Sequence, residues 1–192
     1  MGVPRINTGP MTVDEFYLLT DTRPDGEKWE LIDGEPILNA SPSPVHQLIL
    51  KNLIVTIALQ ERSLDSHWTV TPGIGALVSE TSRPEPDAMI LPHPDVRLFH
   101  GERDTDEAIV LFEIMSPSTR SRDLKWKRAA YTSLPSLTHY VVIAQDAVDV
   151  VVFDRAHGFD EKRDQAVSDV IDFPALGISL SLSEIYRRTG LA

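Results

Sequence analysis

No cysteine occurs anywhere in this chain. Disulfides and thiolate-bound zinc are excluded, and a reducing compartment suits the composition. Long hydrophobic runs are missing too. No apolar stretch approaches the ~20 residues needed to span a bilayer. The opening MGVPRINTGP has no apolar core of the kind a signal peptide carries, so a cytoplasmic location is expected. Positive charge is scarce: 18 Lys and Arg stand against 29 Asp and Glu, for a net charge of −11. That argues against a broad electrostatic grip on nucleic acid, which needs a basic surface to neutralise phosphates. A local basic patch or a metal-bridged contact is still open. Several catalytic loops are absent as well. Gly73-Ile74-Gly75 is followed by strand-like residues and no helix, so it is not a dinucleotide loop. There is no P-loop, His-Glu-x-x-His or nucleophile elbow, and Ser116 and Ser118 have no base nearby in sequence.

What is present is an ordinary globular composition: 192 residues, 42% hydrophobic and 24% charged. This is enough for one domain with a real core, taken as residues 1–192 with 1–10 as a loose arm. Thr12 to Glu15 is a capping box, placing a short helix from Val13 to about Leu19. Asp33-Gly34 between Trp29–Asp33 and Glu35–Asn39 signals a hairpin. The stripe Val45, Leu48, Ile49, Leu53, Ile57 and Ala58 predicts a helix over about 44–62. Short strands follow at about 68–71, 76–79 and 88–91, then a polar loop over 92–106. THYVVIA and VDVVVFD form a strand pair around Gln145-Asp146, residues 157–167 hold a turn or hairpin, and 182–188 form a terminal helix. The order implies an α/β fold with a mixed sheet flanked by the two longer helices.

The stretch from Ile109 to Leu134 carries the most chemistry. Ile109 to Met115 is a short apolar run ending at Ser-Pro, which reads as a strand buried on both faces. Alternation puts Ile109, Leu111, Glu113 and Met115 on one face. A buried carboxylate there has to be protonated, paired or bound to a cation. A helix from about Ser121 places Asp123, Lys127, Ala130, Tyr131 and Leu134 on a single stripe.

Two carboxylates in or beside apolar strands, Asp87 and Glu113, suit magnesium, which takes a few carboxylate oxygens plus waters and a phosphate. Read structurally, Asp87 is a turn residue leading into its strand and Glu113 a satisfied carboxylate. Lys127 can stabilise a phosphoryl transition state; its ordinary reading is an exposed ion pair with Asp123, worth only ~0.3–0.5 kcal/mol. Tyr131 reads as packing. Glu30, or Glu35 beyond the turn, can join an acidic cluster, although exposed hairpin charges are commonplace. His46 can touch a phosphate or metal-bound water, although a histidine at a helix start is usually a surface or capping residue.

Several stretches together carry a family resemblance: WELIDGE, SPSPVHQ, EPDAMI, FEIMSPSTRSRDLKWKRAAY, HYVVIAQDAVDVVVF and FPALGISLSLSEIY. Over roughly residues 11–188 the chain resembles the Uma-two family of "putative restriction endonucleases", within the PD-(D/E)XK nuclease superfamily. The resemblance implies a restriction-endonuclease-like core with a magnesium site at one edge of the sheet. It implies that Pro86-Asp87 is the PD element and Glu113 the acidic residue of the second element. Met115 stands where that element has its lysine, and the resemblance implies that the lysine has moved to Lys127. Glu30 and His46 match family positions with less defined roles.

The expectation is therefore an endonuclease that hydrolyses phosphodiester bonds in DNA with Mg2+ or Mn2+. Asp87 and Glu113 are expected to bind the metal, Lys127 to support the reaction and Glu30 or His46 to assist. A homodimer is a natural form for this class. The rival is a non-catalytic nuclease-fold module that binds nucleic acid or a protein partner. Geometry separates part of this: Lys127 should reach Glu113, with Asp87 approaching the same cleft.

Overall fold

The computed structural model describes residues 9–92, 101–116 and 119–191. Most of the expected N-terminal arm, and part of the polar loop over 92–106, lie outside the described residues. The first helix, α1 (Val13–Thr20), starts at the capping box: Thr12 Oγ1 accepts from Glu15 N, and the Glu15 carboxylate accepts from Thr12 N. Asp33 and Gly34 both take positive φ, +50° and +80°. That double left-handed turn matches the twist of a tight hairpin, and it joins β1 (Trp29–Ile32) to β2 (Glu35–Leu38).

Helix α2 (Pro44–Leu64) is started by Ser43, whose hydroxyl accepts from His46 N, with Pro44 in the first turn. It leads through β3 (Trp68–Pro72), the two-residue β4 (Gly75–Ala76), β5 (Ala88–Pro92) and the two-residue β6 (Asp104–Thr105) to β7 (Val110–Met115). A π-helical stretch, Arg122–Lys127, runs into α3 (Arg128–Thr132). Then come β8 (His139–Ala144), β9 (Val150–Asp154), β10 (Glu161–Asp164), β11 (Val170–Phe173), β12 (Ile178–Ser181) and α4 (Leu182–Ile185).

The central sheet has six strands in the order β10-β9-β8-β7-β5-β3. Its β7–β8 pair is parallel and the other four pairings are antiparallel. The fold is α/β with a mixed sheet. Parallel neighbours need a long crossover, and the crossover from β7 to β8 is the segment carrying Lys127. The helix is thereby laid on the sheet face that Leu111, Glu113 and Met115 share. Leu111 and Met115 pack there with Tyr131, Leu134 and Tyr140. On the opposite face Phe112 and Ile114 meet Ile49, Leu53 and Ile57 of α2. Fully burying each of those three α2 side chains contributes roughly 1.5–3 kcal/mol.

Some expectations change. Ile109 lies just before β7 and packs toward the α2 side, not with Glu113. The strand expected over 76–79 shrinks to Gly75–Ala76, paired with β6 inside the segment read as loop. The β11–β12 hairpin is absent from the sequence reading, and the terminal helix ends at Ile185. The helix from Ser121 is π-helical in its first part. Its inward stripe survives all the same: Asp123, Lys127, Tyr131 and Leu134 are all buried.

Candidate active site

The two strands that carry the acidic pair bring them to one end of the sheet. Asp87 precedes β5, and its backbone N–H donates to Phe112 O on β7. Gly73 allows this close approach. A Cβ there would sit 1.5 Å from Pro86 O, and Gly73 N donates to Asp87 O. Gly73 of the Gly-Ile-Gly motif thus serves backbone packing beside Asp87, while Gly75 makes room for the Arg83 guanidinium.

Lys127 is 3% exposed and donates to Glu113 Oε1 and Glu30 Oε1, both at 2.7 Å. Tyr131 OH donates to the same Glu113 oxygen at 2.9 Å. No donor among the described residues reaches Glu113 Oε2. Glu30 is fully buried, so the exposed-hairpin reading fails for it and holds for Glu35. The hairpin is docked by paired backbone bonds between Leu31 and Arg83, and Glu85 N then donates to Glu30 Oε1 at 2.8 Å. Asn39 Nδ2 donates to the other Glu30 oxygen, and Arg122 ties Asn39 to the helix. The ordinary reading of Lys127 as a partner of Asp123 also fails: its ion pairs are with Glu30 and Glu113.

Asp87 is held by three donors. Lys28 Nζ lies 3.1 Å from Oδ1, while His46 Nε2 and Ile114 N lie 3.1 and 2.8 Å from Oδ2. Facing a carboxylate, His46 Nε2 is the donor; its Nδ1 is buried without a hydrogen-bond partner. Lys28, Glu30, Asn39, His46, Asp87, Glu113, Arg122 and Lys127 line one cleft of about 630 Å³, together with Ser43, Thr119, Asp123 and Gln145.

The electrostatics follow from one ammonium among several buried carboxylates. Burial alone would lower the Lys127 ammonium, but Glu113, Glu30 and Asp123 outweigh it and hold it above the usual lysine range. Burial would raise Asp87 and Glu30. For Asp87, the His46 hydrogen bond, the Lys28 charge and the Ile114 N–H hold it well below the carboxylate range. For Glu30, Lys127 and its hydrogen bonds do the same. Glu113 goes the other way: burial, joined by the charges of Asp87, Asp123 and Glu30, pushes it from 4.5 up to about 8 against Lys127.

That shift makes stability depend on pH. A carboxyl raised in the folded state contributes stability below its unfolded value, and the contribution is lost as pH rises through the folded value. His139, lowered by burial from 6.5, acts with the opposite sign, but only below 6.5. Between pH 6.5 and 8, urea denaturation without divalent ions should therefore show stability falling by on the order of 2 kcal/mol. Glu113→Gln should flatten the slope. A wild-type profile that is level across this window would overturn the assignment.

Comparison with known proteins gives the family and supports the fold. Residues 13–183 match the model of Uma2, a family described as "putative restriction endonuclease". The chain belongs to the Uma2 family. No curated protein matches the sequence. Among solved structures, a "putative nuclease belonging to DUF820" from Anabaena variabilis ATCC 29413 is similar, with a TM-score of 0.75 and 16% identity. The similarity covers 92% of this chain and 98% of that one. At that identity the likeness speaks for the fold: this Uma2 protein has a nuclease-like α/β fold.

No group of three or more His, Asp and Glu side chains is gathered for a metal among the described residues. Zinc, which favours three or four protein ligands, is poorly served. Magnesium asks for one or two carboxylates plus waters and substrate oxygens. The unbonded Oε2 of Glu113 and the neighbouring Asp87 fit that smaller demand, and a cation would offset the burial and the nearby carboxylate charges that push Glu113 upward.

Sequence reasoning about this Uma2 chain missed Lys28, Asn39, Arg122 and Gln145. Asn39 and Lys28 flank the hairpin, and only its docking turns them toward the cleft. Arg122 offered a signal in the FEIMSPSTRSRDLKWKRAAY stretch, one residue before Asp123. No helix among the described residues is long and apolar enough to cross a membrane.

Proposed function

We propose that this Uma2 protein is a divalent-cation-dependent DNA endonuclease that hydrolyses phosphodiester bonds. The observation that carries the reading is Lys127 meeting Glu113 at 2.7 Å, although the strand position two residues after Glu113 is occupied by Met115. The acid–lysine pair is rebuilt from a helix. Asp87 and Glu113 would hold Mg2+ or Mn2+, which would supply polarisation of a phosphoryl oxygen and activation of water. Lys127 and Tyr131 fix Glu113 by one oxygen and leave the other facing the cleft. Glu30 balances the Lys127 charge and locks the hairpin to the helix. His46 orients Asp87 through Oδ2.

A second reading is a non-catalytic nuclease-fold module that binds nucleic acid or a protein partner. It is favoured by the internal pairing of Lys127 and Asp87, which is also what a purely structural ion network requires. Incubation with supercoiled, linear and branched DNA separates the two. The expected result is cleavage of at least one form with Mg2+ or Mn2+, abolished by EDTA. Binding of DNA or protein without cleavage of any form would favour the module.

A further inference from the structure

We infer that Lys28 is the residue that grips the scissile phosphate, a role distinct from that of Lys127; this rests on the nuclease reading above. A lysine that stabilises phosphoryl transfer has to touch a phosphate oxygen. Lys127 cannot do so as it stands. Its side chain is 3% exposed and its ammonium is bonded to two carboxylates. Its work is internal, on Glu113 and Glu30. Of the other Lys and Arg side chains lining the cleft among the described residues, Arg122 is committed to Asn39 and lies 3.7 Å from Glu30 Oε2. It clamps the helix to the hairpin.

Lys28 is differently placed. Its side chain is 35% exposed, and its ammonium contacts Asp87 Oδ1 at 3.1 Å. An ammonium has three donors, and this contact uses one. The backbone beneath it is held, because Asn39 N donates to Lys28 O at 2.9 Å. Alternation along the chain puts Lys28 and Glu30 on the same side of the hairpin, and both line the cleft. Trp29 between them is turned to Glu27 and lies under the Arg23 guanidinium. Lys28 is therefore a cationic arm on a fixed base, resting on the carboxylate where the substrate phosphate and the cation meet. With Asp87 engaged by a divalent cation, the Lys28 ammonium would exchange that carboxylate for a non-bridging phosphate oxygen. No bond is made or broken by Lys28; it moves a charge over a short distance.

The exchange makes two opposite predictions for Lys28→Met. A labelled duplex of the DNA form that the wild type cleaves, measured by anisotropy in Ca2+, should bind about tenfold more weakly. The slope of log affinity against log salt should drop by about 1. Mn2+ binding by calorimetry should be as tight as in wild type or tighter, since a competitor for Asp87 has gone. Lys28→Arg should restore most of the DNA affinity, and Lys125→Met, on the exposed side of the same helix as Lys127, should change neither measurement. Unchanged DNA affinity and salt slope in Lys28→Met would overturn the inference. So would loss of Mn2+ binding, which would make Lys28 a support for Asp87. If wild type cleaves DNA and Lys28→Met behaves identically, the Lys28 role alone fails. If wild type neither binds nor cleaves any DNA, the nuclease reading fails first.

Discussion

Replacing Lys127 by methionine is expected to cost about 3–5 kcal/mol of stability, the usual penalty for breaking one side of a buried ion pair. It is also expected to remove cleavage. Methionine keeps the stem packing but removes the charge. Glu30 and Glu113 are then left buried beside the vacated ammonium position, where each had a 2.7 Å bond. Protonating a carboxyl relieves part of that cost, so the loss should be smaller near pH 5 than near pH 8. Urea denaturation of both proteins at the two pH values measures this. The double variant with Glu113→Gln should recover part of the loss near pH 8, where Glu113 titrates, and little near pH 5, where it is already neutral. Cleavage is compared at a denaturant-free temperature where the variant is folded by circular dichroism. A variant as stable and as active as wild type would remove the physical basis of the migrated lysine.

The second large effect is on divalent-ion binding. Asp87→Asn is close in shape and can still accept from Ile114 N, so the fold is expected to persist. What it loses is the charge that a cation needs and that Lys28 and His46 now share. Calorimetry at neutral pH should show Mg2+ or Mn2+ binding in wild type and none in Asp87→Ala or Glu113→Ala. Cleavage by Asp87→Asn should fall by at least about 10²-fold, the scale for removing one transition-state interaction. If Asp87→Ala and Glu113→Ala bind either ion as wild type does, these two residues are not the metal ligands.

The fold brings Lys127 to Glu113 by a simple route. On a strand, the position two residues beyond Glu113 shares its face, and Met115 there packs in the apolar cluster with Tyr131 and Tyr140. The parallel β7–β8 pairing then requires a crossover, and a helix in that crossover lies over the same face. A lysine on its inward stripe reaches the carboxylate as well as a strand lysine would. The π-helical stretch Arg122–Lys127 lies at this point, and Tyr140 OH donates to the Asp123 carbonyl within it. π-helical turns are rare and recur at functional sites.

Local signals in the sequence determined most of the elements. The Thr12–Glu15 capping box, the Asp33-Gly34 turn, the α2 stripe and the apolar runs of β5, β7, β8 and β9 each encode their own hydrogen bonding or burial within a few residues. So does the stripe from Asp123 to Leu134, whose inward face follows from spacing alone. The weakly patterned segments were not legible: β11 alternates only over four residues, and β4 and β6 are two residues long. The candidate site divides in the same way. Asp87 and Glu113 stood out because charge in or beside an apolar run has to be compensated, whatever the fold, and Lys127 because of its place on the inward stripe and the family resemblance. Glu30 was a candidate with Glu35 as an equal, and Asn39 and Lys28 did not stand out at all, because polar and charged residues in a hairpin are ordinarily solvated. Their fate was decided by the docking of the hairpin against Arg83–Glu85, a contact between residues more than 50 positions apart. A pattern in one segment specifies which face is apolar; only the packing of distant segments decides which carboxylate meets which ammonium.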